Sequence, residues 1–306
     1  TALQGTRRKR HAPELQRWAL RRVQMRFSRL LTFLIVSLAV GHSINATAGN
    51  LDLCTVKPEI KKQKLDAYIE KRDVIAQNVL MALLSAISYE NDGLGNYKLP
   101  EGWLRARSIE HGSGLFAVVF TNEKRKEKAI AFRGTEATSF KDWGHNILPF
   151  IKAQSKPAQS LVEQELSNLE HRNWSTSLTG HSLGGGLALE VSHKVKGVSA
   201  IAFNPSPRIG ADRNGYGNRR IVFREKHEPL AIVRGNPSLR KNWGLRYEVL
   251  LDFTPGFFGA RALTQHGIDS MAMNLLALSA TWSPDALALR NLICNSQPGS
   301  PPDAAR

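Results

Sequence analysis

The stretch TGHSLGGG, Thr179 to Gly186, contains Gly180-His181-Ser182-Leu183-Gly184, a serine with glycines two positions before and two after it. That spacing serves nucleophilic chemistry when the serine occupies a sharp turn between a strand and a helix. The turn lifts the hydroxyl above the sheet, demands small residues on either side, and aims the first N-H groups of the helix at developing negative charge. A β-like run, TSLTG, leads into the serine and a helical run, GGGLALEVSHKV, leaves it. Glycines that serve only helix-sheet packing are the alternative. A phosphate-binding loop fits less well, because no Lys-Ser/Thr pair and no Gly-x-Gly-x-x-Gly follows the strand.

Elements on both sides of the turn must position it. From Pro58 to about Tyr89 apolar residues recur at helical spacing, predicting one or two helices closed by ENDGLGN. Short strands follow at WLRARSI, LFAVVF and KAIAFRG, separated by the hairpin-like turns EHGSG and NEKRKE. Pro157 to Glu170 reads as an amphipathic helix, VSAIAFN as a buried strand, RRIVFRE and LRYEVLLDF as two more, and DSMAMNLLALSA as a helix. A meander that gives way to alternating strands and helices predicts an α/β fold: a mixed, mostly parallel sheet with helices on both faces. No internal repeat and no metal-ligand spacing is visible in the sequence, and nothing in it calls for a cofactor.

A nucleophilic serine also needs a base and oxyanion donors. The segment AFRGTEATSFKDWGHN ends a predicted strand upstream of the serine, where a hydrolase of this chain order keeps its oxyanion loop. AFRGT with the following DW and N, then TGHSLGGGLA, then FNPSPRIG, resembles the class 3 lipase family of α/β-hydrolases over roughly residues 75 to 275. The resemblance implies Ser182 as nucleophile, with Thr135 and the backbone N-H of Leu183 as the oxyanion hole and Arg133 and Asp142 bracing the loop. It places the acid in IVFREKHEPLA, where Glu228 stands before Pro229 in the position of the family's aspartate; Asp252 in LLDFTPG is the alternative. With the order Ser, acid, His, the base is His266 in LTQHGIDS, whereas His193 lies within the helix after the serine and His227 adjoins the acid. The family acts on lipid esters through an acyl-enzyme and needs no metal or cofactor. The resemblance also implies a lid after the oxyanion loop, where NILPFI, with Ile147, Leu148, Phe150 and Ile151, is apolar enough to serve or else to pack in the core. Phe257 and Phe258 suit an acyl pocket or simple packing. A non-catalytic envelope protein that binds lipid or a partner on this fold, and a thioesterase or peptidase, remain open beside the lipase or phospholipase.

The remaining features concern location. The chain has 306 residues, 42% hydrophobic and 22% charged, enough for one full α/β core. Residues 1 to 29 carry nine Lys or Arg against the one acid Glu14, half of the +16 formal charge, so the charge does not predict a nucleic-acid partner. An apolar run from Leu30 to Val40 follows, then the small-x-small triplet Ala46-Thr47-Ala48. This predicts an export signal cut after Ala48, with Met25 as a natural start and a periplasmic or secreted product; an uncleaved membrane anchor within residues 30 to 48 is the alternative. Residues 49 to 295 then form one hydrolase domain and 296 to 306 a flexible tail. Cys54 and Cys294, near the two ends of that product, fit a terminal disulfide or two separate buried thiols. The residual positive charge suits an anionic phospholipid surface.

Overall fold

The computed structural model describes residues 68–90, 97–134, 143–206, 215–226, 244–251, 253 and 267–294, and of 143–152 the backbone alone. All of them belong to the unit Ala48–Arg306. The N-terminal 67 residues, the tail after Cys294, and the candidates Thr135, Asp142, Glu228, Asp252, His266, Phe257 and Phe258 lie outside the described residues.

Helix α1 (Arg72–Ile87) comes first, followed by strands β1 (Trp103–Glu110), β2 (Phe116–Asn122) and β3 (Glu127–Phe132). Then come α2 (Trp143–Ser167), β4 (Ser175–His181), α3 (Leu183–Lys194) and β5 (Val198–Phe203). The described chain ends with β6 (Arg220–Glu225), β7 (Tyr247–Leu251), α4 (Ile268–Ser279) and α5 (Pro284–Cys294). The strands form one sheet whose order in space follows their order in the chain. β1, β2 and β3 pair antiparallel, and β3 through β7 pair parallel, as the change from meander to alternating elements predicts. A register shift between Arg105 and Arg107 bends the exposed edge strand β1, a device that discourages further strand pairing.

Alternation along the strands divides the core in two. Phe120, Ala129, Ala131, Ile201, Phe203 and Phe223 face α1, α4 and α5, while Val119, Ile130, Phe132, Leu178, Ala200 and Val222 face α2 and α3. Phe203 and Phe223 stack with ring centroids 5.3 Å apart, joining β5 to β6 beneath the turn that carries Ser182.

Two helices depart from the sequence reading. α2 begins at Trp143 rather than Pro157 and runs through both Pro149 and Pro157, and Glu170 falls in a separate 3-10 turn, Leu169–His171. Pro157 removes one backbone hydrogen bond and so resembles a helix start; burial of Ala158, Leu161 and Val162 against the sheet holds the helix across it. NILPFI is part of this helix. α5 was not expected, although Ser283 followed by Pro284 marks a helix start, and the Ser283 hydroxyl accepts from Ala286 N-H at 3.3 Å.

α2 is pinned to the sheet by a buried ion pair, Lys128 with Glu165, to which the half-exposed Arg107 adds a third charge. Lys128 Nζ, on β3, donates to Glu165 Oε2 at 2.7 Å and to the Glu165 carbonyl at 2.8 Å, and Arg107 on β1 bonds Glu165 Oε1. Burial raises the Glu165 pKa, but the hydrogen bonds from Lys128 and Arg107 outweigh it and hold the carboxyl below its ordinary value of 4.5. A carboxyl depressed in the folded state stabilises fully above its unfolded pKa and loses that contribution as pH falls through the folded value. Equilibrium unfolding should therefore show stability dropping below about pH 4.5 in the native protein. Glu165→Ala should cost about 3–5 kcal/mol at pH 7, because Lys128 is left charged and buried, and should flatten that acid limb.

Candidate active site

β4 ends at His181 and α3 begins at Leu183, so the reversal from strand to helix falls on Ser182 alone. Its φ is 54° and ψ −121°, a backbone conformation that costs a residue with a Cβ on the order of 1–3 kcal/mol. Three backbone hydrogen bonds hold it there. Ser182 N-H donates to Phe203 O at 3.0 Å, and Ser182 O accepts from Ser206 N-H at 2.8 Å and from Gly186 N-H at 3.1 Å.

The glycines are required by close approach. A Cβ on Gly180 would lie 2.5 Å from the Gly184 carbonyl carbon, and one on Gly184 would collide with the Phe132 carbonyl oxygen. The end of β3 thus passes directly over the first turn of α3. Gly184→Ala should shift that contact, lower the thermal midpoint by the equivalent of about 1–3 kcal/mol and reduce any Ser182-dependent activity, both measurable on the purified protein.

The same crossing brings Arg133 and Gly134 toward the serine. Arg133 N-H donates to Phe116 O at 2.9 Å, and the Arg133 guanidinium lies 4.0 Å from the centre of the Phe116 ring. At Gly134 an added Cβ would stand 2.7 Å from the His181 carbonyl oxygen and 3.3 Å from Ser182 Cβ. Gly134 N-H donates to Tyr89 Oη at 2.9 Å, and the same oxygen is 3.2 Å from His181 Nδ1. Tyr89 escaped the sequence reading: it follows α1, far from either motif in the chain, and only the packing of α1 against β4 brings it to the turn.

Ser182 is 2% exposed and Leu183 1%. Leu183 opens α3, where N-H groups have no partner within the helix and carry the positive end of its dipole. His193 is in the last turn of α3, about 16 Å along the helix axis from Ser182 at 1.5 Å per residue.

The strands that precede the two candidate acids end at the same edge of the sheet as β4. β4, β5, β6 and β7 are parallel, with His181 opposite Phe203, Phe203 opposite Phe223, and Glu225 opposite Leu251. The chain therefore leaves β6 toward Glu228 and leaves β7 toward Asp252 at the edge where β4 delivers Ser182. Asn204, with φ 40°, accepts from Glu225 N-H through Oδ1 at 2.8 Å and fixes the end of β6. α4 takes Gly267 as its N-cap, so His266 immediately precedes it. That first turn is anchored by Tyr97, whose hydroxyl donates to Asp269 Oδ1 at 2.6 Å. Burial raises the Asp269 pKa against the opposing effect of this bond, while burial and then the nearby Asp269 charge raise that of Tyr97. Among the described residues no group of His, Cys, Asp and Glu is placed to hold a metal ion, and no helix is long and apolar enough to cross a membrane.

The family model described as a Tle-like phospholipase domain matches residues 80–251, more than half of the chain. The chain belongs to this family. The matched stretch runs from within α1 to the end of β7 and contains Tyr89, the RGT loop, the Ser182 turn and Glu228, with His266 beyond it. No curated protein matches the chain in sequence. Among solved structures it is similar to a lipase from Rhizopus microsporus var. chinensis, at 16% identity over 60% of this chain and 77% of that one, with a TM-score of 0.43. It is similar to a triacylglycerol lipase from Penicillium expansum, at 14% identity over 65% and 90% with a TM-score of 0.45. It is also similar to lipase II from Rhizopus niveus, at 18% identity over 60% and 82% with a TM-score of 0.42. The phospholipase-like domain accords with the resemblance carried by AFRGT, TGHSLGGGLA and FNPSPRIG.

Proposed function

We propose that the protein is a serine esterase of membrane lipids, with phospholipids as the substrate class. The observation that carries this reading is Ser182 at φ 54°, alone between β4 and α3, with Gly134 of the RGT loop packed against it. The positive φ costs stability, and the surrounding glycines and three hydrogen bonds maintain it at a position where the hydroxyl can attack. Phospholipid is preferred over neutral acylglycerol because the matching family model describes a phospholipase domain.

In this reading His266 takes the proton from the Ser182 hydroxyl as Oγ attacks the ester carbonyl, and Glu228 orients the imidazole. The N-H groups of Thr135 and Leu183 receive the charge that develops on the carbonyl oxygen. Collapse of the tetrahedral intermediate breaks the ester bond, and the His266 proton passes to the leaving alcohol. Water, activated by His266, then releases the fatty acid and restores the serine. We also assign residues 1 to 48 to export, and we pair Cys54 with Cys294, which ends α5; among the described residues there is no free cysteine. A mass gain on reduction of the exported protein tests that pairing.

The decisive experiment is covalent labelling. A fluorophosphonate probe should modify the wild-type chain and leave Ser182→Ala unmodified, with the adduct located on Ser182 by peptide mass spectrometry. Labelling that persists in Ser182→Ala would refute the assignment.

A further inference from the structure

Tyr89 lies at the junction of three elements. Its ring follows the end of α1, its hydroxyl oxygen accepts from Gly134 N-H at 2.9 Å, and the same oxygen is 3.2 Å from Nδ1 of His181, the residue before the serine. The two rings meet edge-on with centroids 6.1 Å apart. A Cβ added at Gly134 would come within 2.6 Å of the Tyr89 oxygen and 3.3 Å of Ser182 Cβ, so phenol, loop and nucleophilic turn are in mutual contact. Gly134 is the last described residue before Thr135.

We propose that Tyr89 is a positioning residue for the oxyanion loop: its hydroxyl holds the Gly134 peptide in register with the Ser182 turn, and so sets the approach of the Thr135 donor. The proposal rests on the assignment of Ser182 and Thr135 above. The physical argument is that an oxyanion donor acts only when held within a few tenths of an ångström of the developing charge. The Arg133–Gly134–Thr135 run has a glycine at its centre, which leaves its backbone intrinsically free to rotate. A hydrogen bond to the central N-H removes that freedom. It does so from a rigid phenol that is itself tied to the elbow through His181, so loop and nucleophile move together. Packing of the ring alone cannot do this, because the restraint is carried by the oxygen.

The test compares Tyr89→Phe with the chain carrying 3-fluorotyrosine at position 89, which keeps ring and hydroxyl, on a soluble nitrophenyl ester and its thiono analogue. Loss of the restraint should lower kcat by about tenfold or more, a part of the 10²–10³ that removal of a whole donor costs, with KM within about twofold. The oxo-to-thiono rate ratio should fall, because sulfur disturbs a well-formed oxyanion hole more than a loosened one, while 3-fluorotyrosine restores both rate and ratio. An unchanged kcat, or a lower kcat with an unchanged oxo-to-thiono ratio, overturns the proposal. So does a Tyr89→Phe chain that does not fold, since the hydroxyl would then support the fold rather than the rate. If Ser182→Ala is inactive and Tyr89→Phe behaves as wild type, this inference alone fails; if Ser182→Ala remains active, the serine assignment fails first.

Discussion

Ser182→Ala is expected to leave a folded protein with wild-type thermal stability or slightly above, and to lower kcat on phospholipid vesicles by at least ~10⁴-fold. Removal of the nucleophile in a triad costs on the order of 10⁶ in kcat, and the remainder comes from substrate binding and the oxyanion hole. Alanine keeps the Cβ that already fits at φ 54° and removes only Oγ from a site that is 2% exposed, so the fold gives no reason for collapse. Binding should survive the substitution. Vesicle co-sedimentation of Ser182→Ala should equal wild type while fatty-acid release disappears, which separates an enzyme from a lipid-binding protein on the same fold. Release of fatty acid at the wild-type rate would mean that the strained serine serves the turn and nothing more.

Much of this site is legible in the sequence because it is local. Gly180, Ser182 and Gly184 announce their turn by spacing, and β4 and α3 announce themselves on either side by a change of period from two to 3.6. The mixed character of the sheet is legible too, since short turns impose the antiparallel start and the helices α2 and α3 carry the chain from β3 to β4 and from β4 to β5 in parallel. What could not be read depends on contacts between distant segments. Nothing in KAIAF shows that Lys128 is buried; its charge is matched by Glu165, 37 residues away. Tyr89 and Gly134 are 45 residues apart, and their hydrogen bond exists only because α1 packs beneath β4. The start of α2 at Trp143 is hidden in the sequence for a related reason: Pro157 is unfavourable in a helix by its own chemistry, and the burial of its neighbours overrides that preference.

The substitution with the most to decide after the serine concerns the acid. β6 and β7 leave the sheet side by side, Glu225 opposite Leu251, and offer Glu228 and Asp252 respectively. β6 is two strands from β4 and β7 is three. At about 4.8 Å per strand that is about 10 Å against about 14 Å of lateral separation from the serine's strand. A nucleophile and its acid in a triad are separated by one imidazole and two hydrogen bonds, roughly 7–8 Å. The nearer strand is the ground on which we propose Glu228 over Asp252 as the acid. Glu228→Ala should lower kcat on the order of 10³–10⁴-fold, as loss of the orienting carboxylate does elsewhere, whereas Asp252→Ala should stay within about tenfold of wild type. A carboxylate beside an imidazole favours its protonated form, so removing Glu228 should also move the acid limb of kcat/KM to lower pH. Rates and pH profiles for the two variants, with His266→Ala as the reference for a lost base, give the answer. The reverse pattern would assign the role to Asp252, and near-normal rates in both variants would exclude either carboxylate from the mechanism.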